Sequence, residues 1–223
     1  FPTGGNPVAA AAGDFNGDGR LDLVALNQGY SEVAVLLGDG SGSFGAPVTF
    51  DTGRWPEAFA IADVNGGGKL DVVVANTYSG TVGVLMGNGD GTLGGVRECP
   101  TGPYPMHVAA GDLDADGVPD LAVANSGDGT LSVSLGVGDG TFEPEIRCTA
   151  GTHPWSVAIG DLDGDAVPDL VTANRGPGTQ TSSTVSVLLG NGDGTFAAQS
   201  QYATTRWPDD IAIGDLNGDG HPD

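Results

Sequence analysis

Five short acidic stretches, set in register along the chain, constrain its fold more than any other feature. "DFNGDGRLD" at Asp14–Asp22 returns as "DVNGGGKLD" at Asp63–Asp71, "DLDADGVPD" at Asp112–Asp120, "DLDGDAVPD" at Asp161–Asp169 and "DLNGDGHPD" at Asp215–Asp223. The first four start 49 residues apart and the fifth follows after 54. A fixed period of this size means that one supersecondary unit is repeated and stacked on its neighbours. The chain therefore reads as one repeat domain, 1–223, with units at approximately 1–49, 50–98, 99–147 and 148–201 and a partial unit at 202–223.

Within a unit, apolar residues gather in short runs such as "LDLVAL", "VAVLL", "LDVVVA" and "VSVLL", bounded by Gly, Asn and Asp. Such runs between turn residues are strands, and nothing between the Gly and Pro breakers is long enough for a good helix. Each unit holds four runs, and a four-stranded antiparallel unit at this spacing is the signature of a β-propeller blade. The predicted fold is all-β, a β-propeller with four full blades followed by the first strand and loop of a fifth. Chain direction segregates the connections. The acidic loops and the "GDGTF" turns fall on one face, here the lower, where Asn-Gly and Asp-Gly pairs accept positive φ. The aromatic-Pro links between units and the loops between second and third strands fall on the upper face.

The combination of "VAAGDLDADGVPDLAVAN" with "LLGNGDGTF", and the literal "FGAP" at Phe44–Pro47, resembles the FG-GAP (VCBS) repeats of the integrin α-subunit N-terminal propeller and of many secreted bacterial proteins. The resemblance covers the whole chain. It implies a propeller, usually of seven blades, whose acidic loops bind calcium. Seven units need roughly 340 residues, so the 223 residues here are expected to be part of a larger ring, or an open arc closed by neighbouring copies. A chain that opens on Phe1 without a charged-then-apolar leader reads as a mature or excised piece.

The loop chemistry points the same way without the resemblance. Carboxylates this close repel one another unless a cation sits among them. Calcium takes six to eight oxygens from carboxylates, amides, carbonyls and water, whereas magnesium demands a smaller octahedral shell. Loop positions 1, 3, 5 and 9 supply side chains, position 7 supplies its carbonyl, and a Gly at position 6 allows the sharp turn. The candidate ligands are Asp14, Asn16, Asp18, Arg20 and Asp22 in the first loop, and Asp63, Asn65, Lys69 and Asp71 in the second. They are Asp112, Asp114, Asp116, Val118 and Asp120 in the third, and Asp161, Asp163, Asp165, Val167 and Asp169 in the fourth. The fifth offers Asp215, Asn217, Asp219, His221 and Asp223, with Arg20, Lys69, Val118, Val167 and His221 acting through their carbonyls. The third loop, with four carboxylates, should bind tightest and the second, with Gly67 at position 5, weakest; Ala166 should bear strain at the turn of the fourth. An EF-hand is excluded, because position 12 of the first loop is Ala25 in strand-like sequence. The competing reading of each stretch is a solvated Asx turn with no metal.

Composition closes off several functions. With 29 acids against 7 bases the chain carries a net charge of -22, which opposes binding to nucleic acid and to anionic membrane surfaces. Of those acids 16 lie in the five loops, so five divalent ions would bring the charge to -12. No stretch approaches the length of a membrane span. The sequence has no Asn-x-Ser/Thr acceptor, while "TQTSST" at Thr179–Thr184 can accept O-linked sugar.

Two further columns repeat in phase. Cys99 and Cys148 share a position with Phe1, Phe50 and Tyr202, which favours two free thiols acting as apolar filler over a disulfide. Asn6, Trp55, Tyr104, His153 and Trp207 each precede Pro, with Arg54 and Arg206 beside the two Trp residues. They either wedge between blades or expose a partial ring of ligand-binding surfaces, for which Trp55, Tyr104, His153 and Trp207 are the candidates. The insertion "RGPGTQTSST" at Arg175–Thr184 lengthens one upper loop.

No nucleophile, acid or base comes with an orienting partner, and the three histidines His107, His153 and His221 lack a catalytic signature. The chain reads as a non-enzymatic, secreted or cell-surface, calcium-stabilised module for adhesion or for binding protein or carbohydrate. The alternatives are a structural subunit of an extracellular filament or surface layer, possible as a homo-oligomer through unpaired edges, and a non-catalytic module of a secreted polysaccharide-active enzyme.

Overall fold

The computed structural model describes residues 3, 5–176, 182–220 and 222. Its first sheet joins β1 (Pro7–Gly13), β2 (Asp22–Asn27), β3 (Glu32–Leu36) and β4 (Val48–Asp51) in that order, each antiparallel to the next. The second repeats this with β5 (Pro56–Ala62), β6 (Asp71–Asn76), β7 (Thr81–Leu85) and β8 (Arg97–Pro100). The third holds β9 (Pro105–Gly111), β10 (Asp120–Asn125), β11 (Thr130–Ser134) and β12 (Ile146–Thr149). The fourth holds β13 (Pro154–Gly160), β14 (Asp169–Asn174), β15 (Thr184–Leu188) and β16 (Ser200–Ala203). Among the described residues no helix forms, and none therefore is long and apolar enough to cross a membrane.

These are blades, and their seams explain the sequence pattern. Side chains alternate across a strand, so the second strand of a blade that has two neighbours faces both of them. Val72 and Val74 pack with Val24, Leu26, Val33 and Val35 of the first blade. Val73 and Ala75 on the same strand pack with Val108, Leu121 and Val123 of the third. A third cluster, including Ala122, Leu131, Val157 and Leu170, joins the third blade to the fourth. A strand buried on both faces reads as a continuous apolar run, which accounts for "VVVA" at Val72–Ala75. The first strands β1, β5, β9 and β13 lie side by side in sequence, giving the radial order of a propeller.

Two expectations shift. The sheets break after residues 51, 100, 149 and 203, whereas the units drawn at 49, 98, 147 and 201 cut through β4, β8, β12 and β16. A period fixes the length of a repeat and leaves its phase open. The expected first strand of a fifth unit also fails to form, since no strand follows β16 among the described residues. In the other blades that segment pairs with the strand that follows its acidic loop.

Candidate metal loops and the exposed aromatic column

The first four acidic loops each span the lower hairpin between the first and second strands of a blade, and all five are folded by their own carboxylates. In the first, Asp14 Oδ1 accepts the Gly17 N–H at 2.7 Å and Oδ2 accepts that of Gly19 at 2.8 Å. Asn16 Oδ1 accepts the Asp18 N–H at 3.0 Å, and Asp18 Oδ1 accepts that of Arg20 at 2.9 Å. The third loop repeats the pattern, with Asp112 accepting from Asp116 and Gly117 and Asp116 from Val118. The fourth repeats it with Asp161 accepting from Gly164 and Ala166, and Asp165 from Val167. In the fifth, Asp215 accepts from Gly218 and Gly220, and Asn217 from Asp219. These amides hold Asp14, Asp161 and Asp215 below the usual carboxylate range, chiefly through Gly19, Ala166 and Gly220 respectively.

Winding the chain around one carboxylate requires left-handed residues. Position 6 has positive φ in all five loops, including Ala166 at 68°, where a side chain is strained as expected. Position 4 does as well, and in the third loop it is Ala115 at 64°. The sequence reading assigned the sharp turn to position 6 alone.

Position 9 has a role that sequence reasoning missed. Asp22, Asp71 and Asp120 are fully buried and Asp169 nearly so. Asp120 Oδ2 accepts the Leu113 N–H at 2.6 Å while Oδ1 accepts the Gly136 N–H at 2.7 Å, tying the acidic loop to the second lower turn of the blade. The same pair recurs from Asp22 to Phe15 and Gly38, from Asp71 to Val64 and Gly87, and from Asp169 to Leu162 and Gly190. Burial pushes the Asp71 and Asp120 carboxyls up, with those amides opposing it. The available signal was a Gly 16 residues after each of the first three position-9 acids, at Gly38, Gly87 and Gly136.

The loops differ as cation sites. Asp112, Asp114 and Asp116 each place a carboxylate oxygen within 4.8 Å of the others, as do Asp161, Asp163 and Asp169. Partial desolvation within the crowded loop and the neighbouring Asp165 raise the pKa of the exposed Asp163, the effect expected of carboxylates gathered without a counter-charge. In the second loop Asn65 turns its amide nitrogen to Asp71 and to Met86 Sδ, and Gly67 supplies no side chain. The clustered carboxylates of the third and fourth loops fit a hard divalent cation. In the fifth, Asp215, Asn217 and Asp219 are brought together, while His221 and Asp223 lie outside the described residues.

On the upper face the aromatic column is exposed rather than wedged. Trp55, Tyr104 and Trp207 are 42%, 54% and 50% exposed. Asn6, Trp55, Tyr104 and His153 all sit at φ between 53° and 57°, although a residue before Pro is ordinarily extended. Paired hydrogen bonds hold this strained link. The Trp55 carbonyl accepts the Thr77 N–H at 3.0 Å, the Arg54 carbonyl accepts that of Tyr78 at 3.1 Å, and Tyr104 and His153 repeat the scheme with Ser126 and Arg175. Trp55 stacks on Tyr78 at 4.9 Å between ring centroids and 21° between planes. His153 Nδ1 lies 2.9 Å from the Gly176 carbonyl. Beside it Arg175 lies 3.3 Å above the Trp155 ring and bonds to Asp209 at 2.5 Å. Residues 177–181 of the insertion, including Thr179–Thr181 of the O-glycan candidate stretch, lie outside the described residues.

Cys99 and Cys148 are free and half-buried, packed with Phe50 as the third member of their column against successive seams. Burial raises both thiol pKa values, which makes them poor nucleophiles.

Comparison with known proteins places these features. A family model described as an FG-GAP-like repeat matches residues 14–74, 64–123, 114–172 and 173–223. No curated protein matches significantly. Among solved structures, an Agrocybe aegerita lectin described as recognising non-reducing terminal N-acetylglucosamine is 26% identical with a TM-score of 0.61, the match covering 86% of this chain and 51% of that one. The V. cholerae biofilm matrix protein Bap1 is 22% identical with a TM-score of 0.56, covering 86% and 28%. BBS1N, solved in complex with ARL6DN, is 13% identical with a TM-score of 0.61, covering 92% and 58%. This chain therefore spans about half of the lectin and less than a third of Bap1.

Proposed function

This chain belongs to the FG-GAP-like repeat family, and we propose that it is an extracellular, non-enzymatic propeller module that binds carbohydrate or protein through its upper face and is stabilised by calcium on its lower face. The observation that carries the binding role is that Trp55, Tyr104 and Trp207, repeating in phase before Pro, are half-exposed and held outward by left-handed backbone. Strain of about 1–3 kcal/mol per residue persists where the surroundings over-determine it, and such positions gather at ligand sites. Large aromatics otherwise pack inside. The similarity to a sugar-recognising lectin supports carbohydrate as the ligand class.

Calcium is supported by the two three-carboxylate clusters and by the family's repeat. An ion there would relieve the repulsion within each cluster and couple metal binding to folding. Extracellular modules of this kind work at about 10⁻⁴–10⁻³ M calcium, which suits a secreted or surface location.

The test is a glycan array with the purified chain in calcium, alongside Trp55→Ala and Tyr104→Ala. Saccharide binding that drops about tenfold or more in either variant, with the far-ultraviolet spectrum unchanged, is expected. Binding indifferent to both substitutions would refute the assignment of the upper face.

A further inference from the structure

One upper-face cleft differs in chemistry from its neighbours. It lies between the second and third blades, holds about 440 Å³, and is lined by Tyr78, Tyr104, Arg54 and Ser79. Trp55 backs Tyr78 by stacking on it. No acid lines this cleft in a chain with 29 of them. Arg20, Arg147 and Arg175 each pair with a carboxylate, whereas Arg54 has no ion pair among the described residues. The corresponding cleft one blade on has Gly127 in place of Tyr78 and carries Asp128, which holds Arg147 at 2.9 Å. Two tyrosines and an arginine without an ion pair among the described residues therefore line one place on the face.

We propose that this cleft is the subsite for a saccharide ending in a carboxylate sugar, a uronic or sialic acid at the tip of an otherwise neutral glycan. The inference rests on the carbohydrate reading above and names the ligand chemistry. Tyr78 and Tyr104 offer flat faces to the C–H side of a pyranose, and Arg54 offers a planar fork that matches a carboxylate with two parallel N–H bonds. Ser79, whose hydroxyl oxygen accepts the Arg54 N–H at 2.9 Å, fixes the link that carries the guanidinium. The net charge of -22 repels polyanions at long range, while screening over about 8 Å leaves a single carboxylate free to reach one local cation.

The experiment is calorimetric titration of the chain in calcium with a trisaccharide ending in glucuronic acid, the same trisaccharide ending in glucose, and a short glutamate-rich peptide. The acidic sugar should bind about tenfold more tightly than the neutral one, and Arg54→Ala should abolish that difference while leaving the neutral affinity in place. Tyr104→Ala should weaken both sugars, and Tyr30→Ala, an exposed aromatic outside the cleft, should change neither. Equal affinity for the two sugars, acid preference that survives Arg54→Ala, or peptide binding as tight as the acidic sugar would each overturn the proposal. Neutral binding lost in Trp55→Ala without acid preference would overturn it and keep the broader reading of the face. No binding of either sugar would overturn both.

Discussion

Replacing Asp120 by Asn separates the structural carboxylate of an acidic loop from its metal chemistry. Both Asp120 oxygens accept buried backbone amides, from Leu113 at 2.6 Å and Gly136 at 2.7 Å. In Asp120→Asn one acceptor becomes an NH₂ group aimed at a donor. A hydrogen bond to a charged group contributes about 1.5–3 kcal/mol, and stranding a buried amide costs about 1–3 kcal/mol more. Loss of the charge offsets part of this, since burial already raises the Asp120 pKa. A net destabilisation of about 2–4 kcal/mol is expected, equivalent to roughly 5–15 °C in Tm for a chain of this size. The assay is thermal and urea unfolding of wild type, Asp120→Asn and Asp112→Asn, each with calcium and with excess chelator. Asp120→Asn should keep most of its loss in chelator. Asp112→Asn, whose carboxylate lies in the loop's cluster, should lose most of its stability difference once metal is removed. The reasoning fails if Asp120→Asn lies within about 0.5 kcal/mol of wild type in chelator, the range of an ordinary surface change.

Chelation itself should lower the wild-type Tm, with calcium restoring it better than magnesium; a site held at 100 times its Kd adds about 2.7 kcal/mol, and scanning calorimetry reads the shift. Ala115→Gly and Ala166→Gly should each stabilise by about 0.5–1 kcal/mol, because left-handed strain exceeds the entropy of the added glycine; urea midpoints check this. His107 is held below its usual pKa by burial, against the opposing charge of Asp210. The unfolded chain therefore takes up the proton first, so stability present above about pH 7 should fall as pH drops through the unfolded value near 6.5. His107→Gln should flatten the Tm profile between about pH 5 and 7, and unchanged profiles would refute the assignment.

The blades were legible because strands buried on both faces leave unmistakable apolar runs, as at Val72–Ala75, and because the acidic loops mark one hairpin in each unit. What stayed hidden depends on partners distant in sequence. The role of Asp22, at the start of β2, needs Gly38, which arrives only after β3 has run back along it. The left-handed Trp55 contradicts the local preference of a residue before Pro, and it is imposed by amides from the turn at Thr77–Tyr78. Exposure of the aromatic column was equally unreadable, since the same residues in the same phase would suit a wedge.

Because odd and even side chains of one central strand serve opposite seams, no blade owns an interior of its own. Recombination between repeats is then harmless only when both crossover points fall at equivalent residues, so that whole multiples of the 49-residue unit are gained or lost. A deletion of one residue within β6 would reverse its parity and present each neighbour with the other's surface. Such a lineage should therefore vary in its number of blades far more freely than in the length of any inner strand.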